Sequence, residues 1–184
     1  NFKHVLTTMN CNKKRVISSF FFILEECFME IEYRTYNPGD EKGLAELFNI
    51  SFHGSGTGFL RTPNEILWRY VNRPGSSFEE IRIALDKQSG KIIGSVFCVI
   101  EENYFNGKNY KTGSINDVAV LPKYRKFGIA NELMKHALKF MNSQKCNLSS
   151  LVADPKGHAR KNLYIPLGWQ DFETFQIFLK PNLK

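Results

Sequence analysis

Chemistry is concentrated in one run of this 184-residue chain: Val118-Ala119-Val120-Leu121-Pro122-Lys123-Tyr124-Arg125-Lys126-Phe127-Gly128-Ile129-Ala130. An apolar stretch ends at Pro122, a basic loop turns, and Gly128 stands where a helical pattern begins. The first N–H groups of a helix have no partner inside it, and they point outward with the positive end of the helix dipole. Such an end takes an anion. Gly128 lets a bulky pyrophosphate approach the backbone where a side chain would obstruct it, and Ala130 keeps the next turn small. Arg125 and Lys126 add positive charge. The chemistry implied is the holding of a phosphorylated ligand. A second glycine-rich run, His53-Gly54-Ser55-Gly56-Thr57-Gly58, is a phosphate cradle in appearance only. It is followed by Phe59-Leu60 where a P-loop needs Lys-Ser or Lys-Thr, and it reads as a flexible segment over a substrate site.

The elements that must position these residues follow from periodicity. Ile31 and Tyr33 alternate with polar neighbours as in a half-buried strand. Asn37-Pro38-Gly39 turns, and Asp40 can cap a helix whose Leu44, Leu47 and Phe48 share a face. Thr62-Pro63-Asn64-Glu65 predicts a second helix with a capping box, stopped by Arg73-Pro74-Gly75. Ile81, Ile83 and Leu85 alternate as a second strand, and Ile92 to Ile100, apolar on both faces, predicts a central one. Asn106-Gly107 is a hairpin signal leading to a fourth strand from about Tyr110 to Val120. Ile129, Leu133, Ala137 and Phe140 keep helical spacing after it. Leu148 to Val152 predicts a fifth strand, Arg160 to Tyr164 a short helix ended by Pro166-Leu167-Gly168, and Phe172 to Leu179 terminal strand material. The order gives an α+β fold with a mixed, mostly antiparallel central sheet flanked by helices, its pairing switching near strands four and five.

With the strand before it and the helix after it, the run from Val118 resembles the acetyl-coenzyme A motif of the GNAT superfamily of N-acetyltransferases, Arg/Gln-x-x-Gly-x-Gly/Ala with a Val-x-Pro-x-x-Arg lead-in. Leu163-Tyr164-Ile165-Pro166-Leu167-Gly168-Trp169 resembles that family's Leu-Tyr-x-x-x-Gly-Phe ending. The resemblance covers Met29 to about Lys180. It implies a GNAT-like fold, acetyl-coenzyme A as co-substrate, and transfer of its acetyl group to an amine. It further implies that the backbone of Val118, Ala119 and Val120 bonds the pantetheine arm, and that N–H groups from Lys126 through Phe127, Gly128 and Ile129 to Ala130 bind the pyrophosphate. By the same resemblance Tyr164 protonates the departing thiolate, a task that suits a phenol of pKa about 10. One departure stands out. The family often carries Asn seven residues before the Tyr, where this chain has Gly157, so the loop Asp154 to His158 has its own shape and Asn162 is not given the missing role.

The general base is open. Asp117 is one candidate, acting directly or through water if the fourth strand splays there; it is otherwise a hydrogen-bonding strand residue. It alternates with Asn116, so only one of the two should face the substrate. His53 is another candidate, while His136 and His158 read as surface residues. Trp68, Tyr70 and Trp169 read as core or wall residues.

The net charge of +7 is scattered, as on a solvated surface, and no aromatic and basic stripe suggests nucleic acid. Cys11, Cys27, Cys98 and Cys146 form no CxxC pair and have no His cluster beside them, which argues against zinc or a disulfide framework and fits a reducing cytoplasm. Cys98 reads as a core residue. Residues 1–28 differ from the rest: a basic cluster at Lys13-Lys14-Arg15, then an apolar run from Val16 to Leu24 too short to span a bilayer. The run loosely resembles a signal peptide read from Met9 but lacks a cleavage site. Glu25-Glu26, encodable as a ribosome-binding sequence, stands just before Met29, so the leader is expected to be disordered or translated upstream sequence. A single domain is expected over 29–184, and without the leader the charge falls from +7 to +5. The expected partner is a small-molecule or peptide amine, with no nucleic acid and no membrane, the protein being a monomer or homodimer. A non-catalytic coenzyme A-binding sensor on the same fold is the alternative; a basic nucleic-acid-binding domain is a third possibility, against which the lack of a reading helix counts.

Overall fold

The computed structural model describes residues 29–52, 60–105 and 107–171. The leader 1–28, the glycine-rich run from His53 and the terminal strand expected from Phe172 lie outside the described residues. Five strands, β1 (Ile31–Thr35), β2 (Ile81–Asp86), β3 (Lys91–Phe105), β4 (Lys108–Val120) and β5 (Leu148–Leu151), form one sheet in the order β1-β2-β3-β4-β5. The pairs from β1 to β4 are antiparallel and β4 with β5 is parallel. The switch falls where the sequence placed it, because helix α3 (Ile129–Ser143) carries the chain back between β4 and β5.

Burial explains each element. Ile92, Ile93, Val96, Phe97, Cys98 and Val99 of β3 are all buried, as expected of a strand covered on both faces. On one side lies α3, whose Ile129, Leu133, Met134, Ala137, Phe140 and Met141 form a continuous buried stripe. It approaches so closely that a Cβ added at Gly94 of β3 would sit 3.0 Å from Ile129 Cγ2 and 3.1 Å from Leu133 Cδ1. Helix α1 (Glu41–Ser51) buries Leu44, Ala45, Leu47 and Phe48. Helix α2 (Pro63–Ile66) opens with the expected capping box, Thr62 accepting from the Glu65 N–H while Glu65 accepts from the Thr62 N–H, and continues as a π-helical turn, Leu67–Val71. No helix among the described residues is long and apolar enough to cross a membrane.

Two local expectations are corrected. Asp40 stands at the N-cap of α1 but its carboxylate does not cap. It is held by the Arg34 guanidinium at 2.6 and 2.8 Å and by the Asn37 N–H at 2.7 Å, an ion pair that outcompetes the helix N–H groups. Trp68 is neither core nor wall: 75% exposed, it sits on the outer side of the π turn, whereas Tyr70 is buried on its inner side.

Candidate active site

The site is made by two departures from regular sheet geometry. β4 pairs with β5 from Thr112–Leu148 to Ile115–Leu151, and there the pairing stops. β4 runs on to Val120 against β3 alone, so a gap opens beside it. A cavity of about 440 Å³ occupies the gap, walled by Ile115 to Val118 on one side and by Leu151 to Asp154 and Tyr164 on the other.

The second departure is a bulge. Ser95 opposes Ala119 and Phe97 opposes Asn116, so Asp117 and Val118 together face Val96 alone. Asp117 takes a φ of +47°, which an Asp tolerates better than most residues. A bulge breaks the two-residue period of a strand, and Asn116 and Asp117 both line the cavity. The strict alternation of the two residues, from which only one was expected to face the substrate side, is therefore broken at this point.

Asp117 is not a free carboxylate. It accepts a short hydrogen bond from the Tyr70 hydroxyl and an ion pair from Arg61 Nη2 at 3.2 Å. Burial, then the charge of Asp117, pushes the Tyr70 phenol pKa well above its ordinary value, so this hydroxyl stays a donor. Arg61 is itself clamped by α1: Asn49 Nδ2 donates to the Arg61 carbonyl at 2.9 Å, and the Arg61 N–H donates to Asn49 Oδ1 at 2.7 Å. The residues of this network other than Asp117 were not legible as site residues. Tyr70 reads only as a core or wall residue, and nothing local to Arg61 points to a partner 56 positions away.

Tyr164 lies on a second π-helical turn, Arg160–Tyr164, in place of the short helix expected there. Such turns recur at functional sites. Its half-buried ring lines the cavity, with Trp169 edge-on at 6.4 Å. Its hydroxyl has no hydrogen-bond partner among the described residues, and burial raises its pKa, which keeps the phenol protonated at neutral pH. Gly168 follows at φ +101° and ends the segment as expected. Gly157 also fits its place. The turn that bonds its N–H to the Asp154 carbonyl at 2.8 Å leaves a Cβ only 3.0 Å from that same oxygen. His158 lines the cavity as well, its carbonyl accepting from Asn162 Nδ2. His136 sits on α3 beside Glu132 and Tyr33, and His53 lies outside the described residues.

The basic loop continues from β4. A 3₁₀ turn, Pro122–Tyr124, is pinned by the buried Tyr124 hydroxyl donating to Asp86 at 3.0 Å. Lys126 at φ +70° and Gly128 at φ +79° curl the chain into α3. The first helical bond runs from the Glu132 N–H to the Gly128 carbonyl, and no side chain caps the end. The N–H groups of Ile129, Ala130 and Asn131 therefore have no partner within the helix. Beyond its chain neighbours, a Cβ added at Gly128 would meet no atom of the described residues within 4 Å, so there is open space here beside donors that have no partner within the helix. That geometry fits a pyrophosphate. Lys126 and Phe127 are exposed at its rim, while Ile129 is anchored in the core. On β4 the Leu121 N–H bonds the Ile93 carbonyl. Alternation then directs Ala119 toward Ser95, and Val120 away from β3. Of the three residues expected to offer backbone to a ligand, Ala119 has its groups on the wrong side, because it is hydrogen-bonded into the sheet.

Residues 32–171 match the family model described as an acetyltransferase (GNAT) domain. The chain belongs to the GNAT acetyltransferase family. The solved structures agree in fold. A Trypanosoma brucei acetyltransferase is similar at 22% identity over 82% of this chain and 99% of that one, with a TM-score of 0.63. The glucosamine-6-phosphate N-acetyltransferase of Arabidopsis thaliana is similar at 21% identity over 83% and 99%, with a TM-score of 0.62. An aminoglycoside N-acetyltransferase in complex with CoA is similar at 18% identity over 83% and 96%, with a TM-score of 0.60. No curated protein matches the sequence. As a GNAT acetyltransferase the protein is an enzyme, and its mixed sheet is the one that the motif at Arg125 to Ala130 led us to expect.

Proposed function

We propose that this GNAT enzyme transfers the acetyl group of acetyl-coenzyme A to a primary amine, with Tyr164 as general acid and Asp117 as the proton acceptor. The observation that carries the proposal is the cavity in the gap beside β4, which holds both the Asp117 carboxylate and a protonated Tyr164 phenol that has no hydrogen-bond partner among the described residues. Bound acetyl-coenzyme A supplies the activated acetyl thioester. In this reading the N–H groups from Lys126 to Ala130 hold the pyrophosphate, and the open edge of β4 at Val118 and Val120 orients the pantetheine arm. The bulge brings Asp117 to the cavity wall, where Oδ2 is occupied by Tyr70 and Oδ1 has only a 3.4 Å contact to Arg61. Oδ1 then takes the proton that the amine loses, directly or through water. Tyr164 gives its proton to the departing thiolate and is reprotonated by solvent. Positioning and proton transfer suffice, since a thioester needs no covalent help from the protein. Cys98 and Cys146 form no disulfide among the described residues, which fits a reducing cytoplasm as the place of action.

Among the similar structures, the acceptors named are glucosamine-6-phosphate for one protein and an aminoglycoside for another. A screen of thiol release from acetyl-coenzyme A should therefore include an amino-sugar phosphate, an aminoglycoside, free peptide N-termini and lysine peptides. Acetyl-coenzyme A-dependent acetylation of at least one amine is expected. Tight coenzyme binding with no acceptor across such a panel would favour a coenzyme A sensor instead.

A further inference from the structure

Arg125 does not direct its charge at the start of α3. Its Nε donates to the Val120 carbonyl at 3.1 Å, and its Nη2 donates to the Ser51 carbonyl at 3.2 Å. Val120 lies at the end of β4, on the edge that the gap leaves open. Ser51 is the last residue of α1, where carbonyls lack helical partners and the dipole favours a cation. The chain leaves α1 there for the glycine-rich run, and two residues back Asn49 clamps Arg61, which pairs with Asp117. One guanidinium thus joins the strand edge beside the cavity, the loop into α3, and the helix whose other contacts hold the carboxylate.

We propose that Arg125 is a positioning residue, which fixes the open edge of β4 and the end of α1 relative to one another, and that it is not a phosphate-binding cation. The proposal rests on the coenzyme assignment above and assigns this side chain a different task within it. Its effect should fall on the pantetheine arm as much as on the nucleotide end.

Three variants separate geometry from charge. Arg125→Gln places an amide N–H at the position of Nε, so the bond to Val120 survives while the charge and the bond to Ser51 are lost. Arg125→Lys keeps the charge and loses the fork. Arg125→Met keeps only the stem. The probes are coenzyme A and pantetheine, which lacks the pyrophosphate and nucleotide, titrated by calorimetry at two salt concentrations. Arg125 is exposed, so the variants should fold, and melting temperatures check this. The expected result is that Met and Lys weaken both probes by the same factor, about fivefold, with Gln between them and wild type. The salt dependence of coenzyme A binding should be unchanged in all three. Loss of affinity for coenzyme A alone in Met and Gln, with Lys normal and a shallower salt dependence, would overturn the proposal and make Arg125 a phosphate ligand. Wild-type affinity for both probes in every variant would overturn it as well. Failure of the wild-type protein to bind coenzyme A would instead remove the coenzyme assignment, and this inference with it.

Discussion

Replacing Gly128 by alanine and by glutamate separates what this glycine does for the fold from what it does for the ligand. At φ +79° any side chain is strained, at a cost of roughly 1–2 kcal/mol. Beyond its chain neighbours, no atom of the described residues lies within 4 Å of an added Cβ, so backbone strain dominates the folded-state penalty. For a domain of this size about 1 kcal/mol moves the melting temperature by about 2–4 °C, so both variants should melt about 2–8 °C below wild type without ligand. Glutamate should show the smaller loss of the two, since its carboxylate is favoured at the start of a helix. Ligand response is the second quantity. At a hundred times its dissociation constant acetyl-coenzyme A stabilises the native state by about 2.7 kcal/mol, or about 5–11 °C. A carboxylate about 4 Å from a pyrophosphate charge costs about 4 kcal/mol at an effective dielectric constant of about 20, more than a hundredfold in affinity. At the same ligand concentration the glutamate variant should therefore gain no more than about 1 °C. Differential scanning fluorimetry with and without acetyl-coenzyme A measures both quantities. A glutamate variant with the full ligand-induced shift would place the coenzyme away from Gly128 and refute the assignment of the loop.

Three further outcomes are expected. Tyr164→Phe should lower kcat by about a hundredfold while leaving coenzyme affinity unchanged, once an acceptor is known; near-normal kcat would leave a water as the acid. Burial raises the phenol pKa values of Tyr36, Tyr70 and Tyr164 above the free value of about 10. The unfolded chain then loses these protons first, so stability is full below pH about 10 and falls as pH rises from there toward the raised folded values; denaturant titrations from pH 8 to 11 should show this, and flat stability across that range would contradict the burial of these phenols. Gly94→Ala should cost about 1–3 kcal/mol in urea unfolding, because the new methyl meets Ile129, Leu133 and the Ala119 carbonyl at 3.0–3.3 Å; a neutral result would mean α3 can shift outward freely.

The amino-acid sequence by itself determined the elements whose causes are local. The apolar run of β3, the buried stripe of α3 and the capping box at Thr62 each rest on neighbours within a few residues, and each stands where the pattern placed it. The loop from Arg125 to Ala130 was legible for the same reason: a helix start and a glycine are local facts. Tertiary structure decided what depends on distant partners. Asp117 could be named as a candidate, but its φ of +47° arises from a register shift against β3, and its hydrogen bonds come from Arg61 and Tyr70. The cationic side chain of Arg125 invited a role at the phosphates, yet its contacts are carbonyls at Val120 and Ser51. Side-chain type shows which bonds a residue can make. Which ones it does make is settled when the sheet pairs, since pairing brings chain segments dozens of residues apart within 3 Å and decides which backbone groups remain open.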